Sequence, residues 1–215
     1  MKIQLAYDAI APQTALALTR ELKDVVDIFE LGTPFLYTYS LMMLRAFREV
    51  APASLLQADL KIIDGGRGLS ELAFSFGADM VSVSARTWPK TIEEAVEAAH
   101  ERNKYVLVDF EGTPEEELSQ LAKRIDDLGP DYLCIHRRFG SDKSVVGEMT
   151  VLKELGMRSK IALAGGIKAG IVESLAAQKL LPDLLIVGKA VTLSQSPRNA
   201  LREILEAGEE GNRFE

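Results

Sequence analysis

Short apolar runs alternate with longer amphipathic stretches along the whole chain. Eight runs stand out, at residues 3–7, 26–29, 55–58, 80–83, 105–108, 132–135, 160–163 and 184–187. They recur roughly every 22 to 29 residues with helical patterns between them, as repeated β-α units do. The helical stretches carry start signals. Thr91-Ile92-Glu93-Glu94 reads as an N-cap followed by early acids, and Thr113-Pro114-Glu115-Glu116 as a helix with Pro at its first position. A doubly wound sheet alternates in the same way, but no G-x-G-x-x-G turn follows the first run. The pattern therefore predicts an α/β chain forming a single (β/α)8 TIM barrel over residues 1–208, with a frayed acidic tail over 209–215.

A barrel of this type places its chemistry at the C-terminal ends of its strands. The residues at or just past the eight runs are Asp8, Glu30, Asp59 with Lys61, Ser84, Asp109, His136, Gly165-Gly166 and Gly188-Lys189. Polar groups thus mark nearly every strand end and are expected around one mouth. Residues i and i+2 of an extended strand face the same way, so Asp59 and Lys61 both point toward the barrel axis on this reading. Opposite charge nearby keeps such a lysine protonated. Asp8 admits a second role, as the cap of a helix beginning beyond Ala9-Ile10-Ala11-Pro12. Trp88 reads as packing against a helix in preference to lining the mouth, and His100, in a helical stretch, as a surface residue.

Composition narrows the function classes. With 25 Lys and Arg against 32 Asp and Glu, the net charge is −7, which disfavours nucleic acid as a partner. A small phosphorylated ligand needs only a few local donors. One cysteine, Cys134, excludes an intrachain disulfide, and its apolar neighbours mark it as an inert core thiol. The first eight residues are too short and too quickly charged for a signal peptide. No apolar run approaches the roughly 18 residues of a membrane span. The sequence reads as a cytoplasmic protein without a membrane partner.

Two motifs carry a family resemblance. Asp59-Leu60-Lys61-Ile62-Ile63-Asp64 matches the Asp-x-Lys-x-x-Asp run of the orotidine monophosphate decarboxylase superfamily of β/α barrels. Phe29-Glu30-Leu31-Gly32-Thr33-Pro34 resembles the second-strand motif of its 3-keto-L-gulonate 6-phosphate decarboxylase and hexulose-6-phosphate synthase branch. The resemblance implies a lyase acting on a phosphorylated keto-sugar or sugar acid through a cis-enediolate. Mg²⁺ is the implied cofactor, with Glu30 and Asp59 as ligands, oxygen donors that suit a hard cation. Lys61 is implied to stabilise developing negative charge, Asp8 to contact substrate hydroxyls, and His136 to move a proton with an arginine, Arg137 or Arg138. Asp64 resembles an aspartate that reaches into a neighbouring subunit, which implies a homodimer with shared sites. Gly165, Gly166, Gly188 and Lys189 match the phosphate-binding end, Lys189 standing where the family usually has arginine. After His136 the chain departs from the branch: Phe139 stands where the decarboxylases carry a second arginine. The reading leaves open which phosphosugar is used and whether decarboxylation or aldol chemistry occurs. A non-catalytic sugar-phosphate-binding barrel and a phosphosugar isomerase also remain open.

Overall fold

Eight parallel strands pair in chain order, and β8 closes on β1 to complete a barrel. The strands are β1 (Lys2–Tyr7), β2 (Ile28–Leu31), β3 (Leu55–Ile62), β4 (Met80–Ser84), β5 (Tyr105–Asp109), β6 (Tyr132–His136), β7 (Lys160–Ala164) and β8 (Leu184–Val187). This arrangement comes from a computed structural model that describes residues 1–136 and 145–208. Arg137 and the proposed tail lie outside the described residues. Ten helices are described: α1 (Pro12–Leu22), α2 (Thr33–Tyr39), α3 (Met43–Val50), α4 (Gly66–Ser75), α5 (Pro89–His100), α6 (Glu115–Asp126), α7 (Val145–Glu154), α8 (Ala169–Ala177), α9 (Lys189–Thr192) and α10 (Pro197–Glu206).

Strand alternation sorts side chains into two cores. Outward positions such as Leu5, Tyr7, Phe29, Val81, Val108 and Leu133 pack under the helices. Tyr7, Phe29, Phe35 and Phe47 form a ring cluster there, each fully buried and stabilising by about 1.5–3 kcal/mol through removal from water. Inward positions, including Ile28, Met80, Leu107, Cys134 and Ile186, fill the barrel.

The N-terminal end of the barrel is closed by a repeated device. Asp27, Asp79, Asp131 and Asp183 each precede an even-numbered strand. Their carboxylates accept the N–H of the second residue of the preceding odd strand: Ile3 at 2.8 Å, Leu56 at 3.0 Å, Val106 at 2.8 Å and Ile161 at 2.8 Å. Their carbonyls accept the first N–H of the following odd strand, at Leu55, Tyr105 and Lys160, and at Lys2 across the closure. Buried strand ends are thereby left without orphan donors.

Several helix starts differ from expectation. Helix α5 begins at Pro89 after an extended Trp88 (ψ 139°), so Thr91 lies inside the helix and is buried. Pro89 fixes the φ that the first helical position needs, which moves the start upstream of Thr91. Pro114 is extended (ψ 144°) and caps α6 from outside; the acids Glu115 to Glu117 open the helix and Lys123 and Arg124 close it, as the helix dipole favours. Helix α1 is capped by Ala11 without a side-chain bond, which removes the capping role for Asp8. Strand β2 starts at Ile28, because Asp27 is taken by the bond to Ile3.

Candidate active site

The C-terminal mouth opens into a cavity of ≈ 700 Å³. Asp8, Glu30, Asp59, Lys61, His136, Gly165, Gly166, Gly188 and Lys189 all line it. Their order around the barrel divides it by charge. Acids lie on the β1, β2, β3 and β5 side, whereas Lys168 and Lys189 lie on the β7–β8 side.

Glu30 is buried and accepts a hydrogen bond from Gln4 Nε2. Burial drives its pKa well above the ordinary carboxylate value, and the Asp59 charge adds to the rise. Asp59 is also buried. The Ser82 hydroxyl donates to its Oδ1 at 2.6 Å, while the Thr33 hydroxyl and N–H donate to Oδ2 at 2.8 and 3.3 Å. Asp8 is half-buried, and burial followed by repulsion from Asp59 raises its pKa. Gly32 makes room for it: a Cβ there would lie 2.1 Å from Asp8 Oδ1.

Lys61 reaches the site by an irregular route. Between the pairs Ala58↔Val81 and Ile62↔Val83, β3 advances four residues while β4 advances two. Lys61 sits in this bulge with φ 44°, a left-handed conformation rare outside glycine. Simple alternation therefore does not place it beside Asp59, although both line the cavity. Its ammonium contacts Asp109 Oδ2 and lies 3.3 Å from Glu111 Oε2 and 3.6 Å from Asp59 Oδ1. Burial opposes its charge, but Asp59 and Asp109 more than compensate and raise its pKa.

Asp109 links this lysine to the histidine. His136 Nδ1 lies 3.2 Å from Asp109 Oδ2; a carboxylate can only accept, so Nδ1 carries the proton and Nε2 remains for proton transfer. Burial raises the Asp109 pKa, yet the bond from His136 and the Lys61 charge overcome it and bring the group to about 2. His136 is lowered by burial and raised more by Asp109, ending above its ordinary value.

At the other side, Gly165 (φ 90°) and Gly166 (φ 63°) turn through backbone space that favours glycine, ahead of α8. Lys189 is exposed at the rim, as is Lys168. Asp64 is the exception among the expected residues. It is exposed in the turn after β3, accepts the Gly65 N–H at 2.7 Å, and does not line this chain's cavity. The adjacent glycine has a reason within the chain, since a Cβ on Gly66 would lie 2.1 Å from the Thr91 carbonyl oxygen.

Sequence reasoning placed Asp109 at the mouth without giving it a role, and missed Gln57, Glu111 and Lys168, which also line the cavity. Asp109 was legible as a strand-end acid. Trp88 overturns its expected packing: it is 78% exposed, because the extended entry to α5 turns it outward. His100 is partly exposed, 3.2 Å from Asp131. Cys134 is buried, and burial pushes its thiol pKa up, as expected of an inert thiol. Among the described residues, no helix is long and apolar enough to cross a membrane.

The donor set fits a divalent cation at Glu30 and Asp59. Two buried carboxylates that repel each other, with Lys61 3.6 Å from Asp59, are an arrangement that a hard cation relieves. A second group, Asp109, Glu111 and His136, has ligand atoms within 4.8 Å of one another, and Lys61 contacts both of its carboxylates.

Fold and site together define a (β/α)8 barrel with a polarised cavity at its C-terminal mouth, acidic on one side and cationic with paired glycines on the other. The chain belongs to the orotidine 5′-phosphate decarboxylase / HUMPS family, whose model matches residues 1–204. It is 32% identical over 206 residues to a 3-hexulose-6-phosphate synthase of Staphylococcus aureus, covering 94% of this chain and 96% of that one. The crystal structure of 3-hexulose-6-phosphate synthase from Salmonella typhimurium superposes with a TM-score of 0.90 at 32% identity, over 98% of this chain and 100% of that one. That of 3-keto-L-gulonate-6-phosphate decarboxylase from Vibrio cholerae gives 0.82 at 26% identity, over 97% of each chain.

Proposed function

We propose that the protein is a Mg²⁺-dependent carbon–carbon lyase acting on a phosphorylated keto-sugar through a cis-enediolate. The observation that carries this reading is the division of the cavity: buried carboxylates, Lys61 and His136 face two lysines and a glycine turn across one mouth. Such a cavity suits a molecule with hydroxyl or carbonyl oxygens at one end and phosphate at the other.

Glu30 and Asp59 hold the cation, which when bound supplies Lewis-acid stabilisation to neighbouring substrate oxygens. Lys61 stabilises the negative charge left when the carbon–carbon bond breaks. His136, held by Asp109, gives or takes the proton at the reacting carbon through Nε2. Asp8 contacts substrate hydroxyls. The N–H groups of Gly165, Gly166 and Gly188 bind phosphate with Lys189, and Lys168 adds a second cation. Formaldehyde aldol chemistry is favoured over decarboxylation by the 32% identity to synthases against 26% to the decarboxylase.

Asp64 serves the partner's site in a homodimer. Two exposed apolar side chains beside its turn support a covered surface: Ile63 (67%) and Trp88 (78%). The bond from the Thr87 hydroxyl to the Ile63 carbonyl, 2.5 Å, holds the two loops together. Asp64→Asn and Lys61→Ala proteins, each inactive alone, should recover about one quarter of wild-type activity once mixed and exchanged, since half the dimers then carry one intact site. Inactive, proven heterodimers assign Asp64 to its own chain.

The deciding experiment is incubation with Mg²⁺ and a phosphosugar panel in D₂O, followed by NMR. Formaldehyde release or uptake, lost in EDTA, is the expected result. Carbon dioxide release moves the reading to decarboxylation, and deuterium exchange alone to isomerisation. Full activity in EDTA overturns the metal assignment.

A further inference from the structure

We infer that Ser82 is the positioning residue of this site: its single hydroxyl, shared between the Asp59 carboxylate and the Lys61 backbone, holds the β3 bulge that brings Lys61 into the cavity. Ser82 stands on the inward face of β4 with no solvent exposure. Its hydroxyl accepts the Lys61 N–H at 2.8 Å and lies 2.6 Å from Asp59 Oδ1. The direction of both bonds is fixed by chemistry, because a carboxylate accepts only and an amide N–H donates only.

The position of the contact gives it leverage. The register changes between Ala58↔Val81 and Ile62↔Val83, so Ser82 is the one β4 residue facing the extra length of β3. In a regular parallel ladder the N–H of Lys61 finds a carbonyl on the neighbouring strand. Here the bulge leaves it a side-chain hydroxyl. The left-handed backbone at Lys61 is unfavourable for a residue with a Cβ, and a single hydrogen bond is of the size needed to offset that cost. Without the hydroxyl, Lys61 loses its reason to stay in that conformation, and its ammonium loses its station among Asp59, Asp109 and Glu111. Thr33 still holds the other Asp59 oxygen, so the lesion falls chiefly on the lysine.

The kinetic arm of the test rests on the lyase reading; a second arm does not. Ser82→Ala should lower kcat about 10–100-fold, the cost of misplacing a reacting group by about 1 Å, with KM for the phosphosugar changed less than about threefold. The phosphate end, on β7 and β8, lies across the ring. Amide hydrogen exchange at Lys61 should accelerate about tenfold through loss of its acceptor, while Tm moves by no more than about 4 °C. Ser82→Thr and Ser82→Val have the same shape and differ only in the hydroxyl, so Thr should retain more activity and more protection at Lys61 than Val. Equal behaviour of Thr and Val, an unchanged Lys61 exchange rate in Ser82→Ala, or a KM rise matching the kcat loss overturns the inference. A wild-type protein that turns over no phosphosugar defeats the lyase reading, and the exchange arm then decides the role of Ser82 alone.

Discussion

At the N-terminal end of the barrel, Asp27, Asp79, Asp131 and Asp183 meet strand N–H groups at 2.8 to 3.0 Å. At the C-terminal end, Asp8 and Glu30 crowd Asp59 in a cavity, and the pKa values of both are driven up, first by burial and then, in part, by the Asp59 charge. Asp79 shows the opposite balance. Burial raises its pKa, but Lys104, the Leu56 N–H and Arg48 outweigh burial and lower it. The same residue type thus works in two ways. Carboxylates whose partners are built into the fold stabilise it, and carboxylates left short of partners hold free energy that a ligand can release. The partners an acid is given, rather than its place on a strand, decide which it does: Asp109 lies at the C-terminal end of β5, yet His136 and Lys61 lower its pKa against burial.

Mutations at the two ends should therefore separate activity from stability. Glu30→Gln removes an acid that the folded chain buries at a cost. Turnover should fall by at least about 10³-fold, as expected when a group essential to transition-state stabilisation is lost, while Tm holds or rises. A parallel loss of Tm breaks the contrast. Asp79→Ala should do the reverse. Leaving Arg48, Lys104 and a strand N–H without their carboxylate should cost about 2–4 kcal/mol in urea unfolding, with kcat of the remaining folded protein unchanged. Lys189→Ala should raise KM for a phosphorylated substrate about tenfold or more, the weight of one charge-assisted hydrogen bond, and leave an unphosphorylated analogue unaffected. Equal effects on both remove the phosphate assignment.

The smallest effect concerns His136. Its folded pKa lies above the ordinary 6.5 because Asp109 outweighs burial. The interaction stabilises fully below the unfolded pKa and is lost as pH rises through the folded one. In Asp109→Asn the His136 titration followed by NMR should move down. The stability deficit of the variant should be greatest between roughly pH 4 and 6, where the carboxylate is ionised and the imidazole protonated, and should shrink as pH falls toward the Asp109 pKa of about 2. A titration unmoved by the substitution shows that His136 is poised by something other than Asp109.

Most of the strand pattern was legible because inward and outward faces repeat locally: the runs at 80–83 and 105–108 needed no knowledge of their neighbours. The motif Asp59-x-Lys61 likewise announced a site. How Lys61 gets there was not legible, since a bulge is a property of two strands in register and not of either alone. Ser82 lies in "MVSVS", where its hydroxyl looks like any inward strand residue, and nothing local marks it as the acceptor for a residue on β3. The helix starts at Pro89 and Glu115 were misread by three residues and by one for a related reason, because a cap is set by the backbone entering it. Trp88 was expected to pack against a helix, and the extended backbone there leaves it 78% exposed.

The ring of four aspartates also bears on how the chain reaches this fold. Seven of its eight links join residues 22 to 29 positions apart, whereas the link from the Asp183 carbonyl to Lys2 spans 181. Loop-closure entropy makes that last link costlier by about 1.5 kcal/mol before any contact rewards it. The entropy term favours pairing of neighbouring strands first and closure of the β8–β1 seam last. The seam link is carried by the Asp183 carbonyl, which accepts the Lys2 N–H, whereas the Asp183 carboxylate bonds Ile161 inside the β7–β8 pair. Substituting the Asp183 side chain should therefore weaken a local strand pair, as substituting Asp79 does, and leave the seam bond itself in place.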